Sequence, residues 1–207
     1  VQIQAKSVTS GTDGNGNKWT YNTSTKTLTF TGNKAISDFT LNGHDREPSW
    51  YRWSNKTKHI VIEEGITGIG SEAFSSFTET KSITMGESVK RINRMAFWAN
   101  VSLKEIKLSS NITVIQGDAL SGGRELETIK LPMRLRKMCS LSGQEKLEKI
   151  VMPDSITNMQ SAMFSECKKL KYIKLPAKIK EIKSYDFAGC KKLKKLTIPQ
   201  SVKTVSM

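Results

Sequence analysis

The sequence predicts an α/β solenoid, a stack of short coils that all follow one plan. Three observations predict it. An apolar pair spaced i, i+2 recurs seven times along the chain. Further apolar columns keep the phase of that pair, and prolines follow its later copies at one fixed position.

The pairs are Ile60/Ile62, Ile83/Met85, Ile106/Leu108, Ile129/Leu131, Ile150/Met152, Ile173/Leu175 and Leu196/Ile198. Their spacing is 23 residues throughout, except between Ile129 and Ile150, where it is 21. Side chains two apart lie on one face of a strand, so each pair marks a short strand with one buried side. Pro132, Pro153, Pro176 and Pro199 stand directly after four of the pairs. Proline donates no backbone hydrogen bond, so each of these strands ends there.

Six residues after each pair begins stand Ile66, Val89, Ile112, Leu135, Ile156, Ile179 and Val202. Three residues further stand Ile69, Ile92, Ile115, Met138, Met159, Ile182 and Val205, which carry the chain around a corner. At plus fourteen stand Phe74, Phe97, Leu120, Phe164 and Phe187, on a short turn or helical piece opposite the strand. The short repeat has no counterpart there by count, so the side opposite the strands should be distorted between Met133 and Gln144. One coil cannot enclose its own apolar residues. Stacked coils form a continuous core, with strands paired in parallel about 4.8 Å apart.

Residues 1–56 lack the period. Trp19-Thr-Tyr21 and Leu28-Thr-Phe30 alternate apolar and polar residues around Asn22 to Lys26, which reads as a β-hairpin. Trp50, Tyr51 and Trp53 follow just before the first repeat strand. A solenoid exposes core at its ends, so 1–56 reads as an N-terminal hairpin cap and 57–207 as the repeats. The alternative use of the aromatics is a carbohydrate site. The chain opens at Val1 without a charged-then-apolar leader, so a secretory leader would have been removed or lie outside it. No capping unit is read after Val205, so the native protein is expected to extend further.

Leu103-Lys-Glu-Ile106-Lys-Leu108-Ser-Ser-Asn111-Ile112 resembles the leucine-rich-repeat pattern LxxLxLxxNxI. With IxxIGxxAF at 66–74, Cys167 and Cys190, and Leu-Lys-x-Ile-x-Leu-Pro at 170–176, the chain is similar to the BspA-like subfamily of bacterial surface proteins. The resemblance covers about 57–207. It implies a right-handed superhelix with a parallel sheet on its concave side and short turns or helical pieces on its convex side. It also implies a secreted or cell-surface protein concerned with adhesion or host-protein binding. Such proteins often carry a Trp-containing hairpin ahead of their repeats.

The formal net charge is +14, from 33 basic and 19 acidic residues. Residues 168–195 hold eleven lysines against Glu181 and Asp186. Such a bias either attracts acidic partners or keeps a long solenoid soluble. The residues that flank each inward pair face outward from the sheet. They include His59/Val61, Glu105/Lys107, Thr128/Lys130, Lys149/Val151, Tyr172/Lys174 and Lys195/Thr197. Lys107, Lys130, Lys149, Tyr172, Lys174 and Lys195 are therefore the candidate ligand-binding residues, with cations for an acidic partner and a flat ring at Tyr172. The partner class expected is a protein or an acidic glycan. The alternatives are a spacer module and a polyanion or nucleic-acid binder, the last disfavoured by the lack of aromatics beyond Tyr172.

Catalysis is not expected. The two histidines, His44 and His59, stand in no triad, and no phosphate loop, HExxH or GxSxG is present. No cofactor, metal site or membrane span is expected, and the chain should be a monomer. Cys167 and Cys190 share a column in neighbouring coils, near enough for a bridge; the other reading is two free thiols packed as small apolar groups. Cys139 lies outside that column. The sequons at Asn22, Asn55, Asn100 and Asn111 matter only in a host that glycosylates secreted proteins.

Overall fold

The predicted apolar pairs from Ile60/Ile62 to Ile173/Leu175 form the inner faces of successive coils that stack in parallel, whereas in the last pair Leu196 is half-buried and Ile198 is exposed. The computed structural model describes residues 9–39 and 47–206. Strands His59–Ile62, Ser82–Met85 and Glu105–Lys107 pair in parallel, in the register His59 to Ser82 to Glu105. Further along, Lys149–Val151 pairs with Tyr172–Lys174 in the same way. Inner residues such as Ile60, Ile83, Ile150 and Leu170 are fully buried and belong to one core that runs the length of the stack.

The sheet reaches beyond the first repeat. Strand Lys18–Asn22 pairs antiparallel with Thr27–Thr31, which then pairs in parallel with His59–Ile62. Leu28 and Phe30 stand beside Ile60 and Ile62, so the second arm of the hairpin is the first parallel rung of the stack. The 23-residue count hides this, because Leu28 lies further than one period from Ile60. A short strand, Ser10–Thr12, adds to the hairpin's outer edge. Trp50 is fully buried, edge-on to Phe30 and Phe39, and its indole N–H donates to the Ala73 carbonyl. Tyr21 stacks on Trp53 at 4.1 Å. These rings are core, which leaves little face for a sugar.

A second face carries shorter parallel strands, Gly68–Ile69, Arg91–Ile92 and Val114–Ile115, at the plus-eight and plus-nine positions. The convex side holds turns in place of helical pieces. Every coil passes through the left-handed region there, at Ser76, Ala99, Gly122, Gly143, Glu166 and Gly189, with φ between 56° and 78°. Such a residue ends any α-helix. Backbone amides then bond to the next coil instead of along their own. Phe74 N donates to the Ala96 carbonyl, Phe97 N to that of Ala119, and Phe164 N to that of Asp186.

The short repeat departs from expectation. Leu141 takes the phenylalanine position: it is fully buried, and its amide donates to the Met163 carbonyl as Phe74's does to Ala96's. The missing two residues precede it, which is why a count from Ile129 finds nothing at plus fourteen. Convex bonding runs on through Gly122 N to the Ser142 carbonyl and Gly143 N to that of Ser165. The discontinuity falls on the strand face instead. Thr128–Lys130 forms no ladder with Glu105–Lys107 and keeps only one bridge, from Thr128 to Lys149.

Phe74 joins the hairpin region to the repeats, edge-on to Phe30 and stacked on Phe97 at 5.5 Å. Phe74→Ala should cost about 3–5 kcal/mol in urea unfolding. Phe187→Ala, at the half-buried far end, should cost clearly less.

Candidate functional site

The outward residues of the strand face form two columns. One runs His59, Ser82, Glu105, then Thr128, Lys149 and Tyr172; the other runs Val61, Thr84 and Lys107, with Val151 and Lys174 further along. Lys107, Lys130, Lys149, Tyr172, Lys174 and Lys195 are all exposed. Five of them flank inward residues of successive coils. Lys195 is exposed but lies outside any paired strand, so it extends the patch without belonging to its sheet.

The structure places these residues in distinct settings. Lys149 Nζ sits over the Tyr172 ring, 5.2 Å from its centre, which orients the ring and shares the charge with its π face. Lys174 lies 3.5 Å from Asp154. Asp154 also accepts from the Ala177 amide, and this bond, with Lys174 nearby, holds its carboxyl below the usual range. That pair is exposed on both sides and contributes little to stability. Lys107 and Lys130 make no ion pair with a described residue.

The lysines one place further out are only partly spent, since Lys81, Lys104 and Lys194 form no ion pair with a described residue. Lys171 pairs with Glu148 at 2.9 Å, Lys58 with Glu79, and on neighbouring turns Lys146 with Glu125 and Lys168 with Glu145. On the two central columns Lys107, Lys130 and Lys149 keep their charge without an ion pair. Between the lysines lie two apolar groups, Val151 at 44% exposure and Tyr172 at 50%. Val151 is readable in sequence as an outward residue, but charge alone does not single it out.

A cavity of about 690 Å³ opens where the strand ladder is interrupted. Lys107 and Lys130 line it, so the structure brings these two predicted residues together. Leu131, Pro132, Met133 and Arg134 also line it, and Met133 is 75% exposed. No sequence signal marks this cavity, since it comes from a lost backbone pairing.

Beside this face, a polar ladder ties coil to coil. Glu64 accepts from the Glu87 amide and the Ser88 hydroxyl, and Glu87 accepts from the Ser110 amide and hydroxyl at 2.8 and 2.6 Å. These bonds hold both carboxyls below their usual range. Met133 occupies the next position of that ladder and has no group to continue it. Asp154 resumes it with the Ala177 amide.

The other sites weighed are structural. His59 is exposed and its Nδ1 lies 2.8 Å from the Ser82 hydroxyl; His44 lies outside the described residues. Asn100 is buried and accepts from the Phe77 amide, which leaves no room for a glycan there. All three cysteines are free. Cys167 and Cys190 donate to the carbonyls of Leu141 and Phe164 across the coils. Burial pushes the Cys139 and Cys167 thiols up to about 12 and that of Cys190 to about 11. Among the described residues no cluster of metal-ligating side chains occurs, and no helix is long and apolar enough to cross a membrane.

The family model of the BspA type leucine rich repeat region matches residues 47–142 and 137–207, as six copies. No curated protein matches the chain. Among solved structures, a leucine-rich repeat protein from Bacteroides ovatus superposes with a TM-score of 0.71 at 24% identity. The match covers 92% of this chain and 54% of that one, so the chain spans about half the length of that relative. A leucine rich repeat protein of T. pallidum superposes with a TM-score of 0.63 at 19% identity, over 88% of this chain and 90% of that one. At these identities the likeness shows the fold.

The thiol shifts give a pH dependence. The folded chain holds protons that the unfolded chain releases above the ordinary thiol value of 9.0, so stability is complete below that value and falls as pH rises past it. A chromogenic disulfide reagent at pH 8 should label Cys139 and Cys167 only after denaturation, and urea midpoints should drop between pH 8 and pH 10.

Proposed function

From the premise that this chain belongs to the BspA-type leucine-rich-repeat family, we propose that it is a non-enzymatic binding module of the bacterial cell surface or exterior. Its concave strand face takes an acidic macromolecule. The observation that carries the reading is the row of exposed lysines, most of them without an ion pair, around exposed apolar groups. Lys107, Lys130 and Lys149 form no ion pair with a described residue. A face meant only for solubility gains nothing from Val151 and Tyr172 among its charges. An interface gains both steering from the cations and buried area from the apolar groups.

On the strand face Lys107, Lys130, Lys149 and Lys174 outnumber the exposed Glu105, and the carboxylates at its edge, Glu64, Glu87 and Asp154, are already used in bonds between coils. A partner therefore meets net positive charge there. In this reading residues 1–56 act as an end cap. Burial of Trp19, Phe30 and Trp50 supports that role, because it closes the core at the first coil. The cell-surface setting rests on the family, whose repeats the chain carries in six copies.

The triple substitution Lys130→Glu, Lys149→Glu, Lys174→Glu tests the proposal. All three positions are exposed, so the melting temperature should change little. Capture of extracellular matrix proteins and sulfated glycans on an array should fall at least about tenfold, and the wild-type signal should weaken with salt. Wild-type capture that survives the triple reversal removes the concave face from the proposal.

A further inference from the structure

Along most of the stack, neighbouring coils are joined on the strand face by a backbone ladder. The coil carrying Glu105–Lys107 and the next coil are not. Yet the same two coils are joined elsewhere. Ile115 N donates to the Lys137 carbonyl, Arg136 N to that of Thr113, and Gly122 N to that of Ser142. The opening is thus local, framed on two sides by intact pairing, and it faces the concave surface.

Its chemistry is two-sided. The floor is apolar: Leu108 and Leu131 are inward residues whose edges reach it, and Pro132 and Met133 complete it. Met133 is the most exposed of the large apolar side chains described and stands in the ladder position that Ser110 and Asp154 fill with polar groups on either side. The rim is basic. Lys104, Lys107, Lys130 and Arg134 line the cavity and form no ion pair with a described residue. Two carboxylates also line it, Glu87 and Glu105. Glu87 is already held by the Ser110 amide and hydroxyl, which leaves an excess of positive charge toward solvent.

We infer that this cavity is the anchor subsite of the concave face, and that it takes an apolar side chain from an acidic peptide segment. The inference rests on the concave-face reading and specifies its partner. The volume lies within the range of sites that enclose a ligand group, and is ample for one aromatic or branched side chain with its backbone. A sulfated glycan satisfies the rim and leaves the apolar floor uncovered. A neutral apolar peptide covers the floor and leaves the excess of cations over Glu87 and Glu105 unmatched. Only a chain with carboxylates flanking an apolar residue satisfies both, and buried anchors of this kind hold most of an interface's affinity.

The probes are a short acidic peptide with one phenylalanine, the same peptide with glycine in its place, and a heparin fragment. Each is titrated onto the whole chain by fluorescence anisotropy. Burial of one aromatic ring should make the phenylalanine peptide bind roughly tenfold to a hundredfold tighter than the glycine peptide. Met133→Glu should erase that ratio, and Met133→Gln should reduce it without adding charge. Lys107→Glu should weaken both peptides. Met133 is exposed, so melting curves should match the wild type and confirm that each variant folds. Equal affinity for the two peptides overturns the inference. So does heparin binding with no measurable peptide binding, which assigns the face to glycans. If Lys149→Glu with Lys174→Glu weakens the peptides while the Met133 variants are silent, the cavity fails and the concave-face reading stands. If the Met133 variants act and the lysine pair is silent, the cavity stands and the wider face fails.

Discussion

Everything in this molecule depends on one constraint: no coil can bury its own apolar residues. A coil places its inward pair, its corner residues and its convex phenylalanine on one inner surface, and that surface closes only when another coil lies against it. The backbone meets the same requirement. Amides on the convex side donate to the following coil, as from Phe74 to Ala96 and from Glu166 to Ala188. On the strand face Lys81 N reaches back to the Lys58 carbonyl and Lys104 N to that of Lys81. Left-handed residues on each turn make this outward bonding obligatory, because a helix there would satisfy those amides internally. The same constraint explains the aromatic first coil. With no coil ahead of it, Phe30 and Trp50 supply the covering that a neighbour supplies elsewhere.

Side chains follow the backbone's example. Glu64, Glu87 and Asp154 each accept an amide from the coil ahead, and Ser155 and Ser201 donate to carbonyls of the coil behind. Cys167 and Cys190 do the same from inside the core. Charge used in this way is lost to solvent. The result is that Glu64, Glu87 and Asp154 are absorbed into contacts between coils, while Lys107, Lys130 and Lys149 stay without an ion pair on the strand face.

Most of the architecture was legible in sequence, because a side chain's facing is fixed by its place in the repeat. The inward columns as far as Ile182 and the outward position of Lys107, Lys130, Lys149, Tyr172 and Lys174 follow from counting, but the last coil departs from it: Ile198 and Val205 are exposed, and Lys195 lies outside any paired strand. Counting fails where the spacing changes. Leu141 fills the phenylalanine position, yet a two-residue deletion moves it out of the column where it would be sought. Leu28 and Phe30 lie in the register of the repeats, but the longer connection to Ile60 conceals it. The candidate site was legible in part. Exposure of Lys107, Lys130, Lys149, Tyr172 and Lys174 follows from strand alternation. Which lysines are already paired depends on side chains a full coil away, and the cavity depends on a ladder that does not form. Neither is a local property of sequence.

The cavity and the deletion belong to the same stretch of chain, and this bears on how such a fold acquires specificity. A regular stack presents the same surface at every coil, so it attracts a class of partners by charge and cannot distinguish among positions along its face. A break in regularity creates a place with a unique shape. Here the break leaves convex bonding intact and opens only the strand side, so it costs little of the core while adding a concavity to the face that already carries free charge. The lysine columns can bring an acidic chain to the surface in many registers. The opening beside Met133 can accept it in few, and that difference turns attraction into recognition.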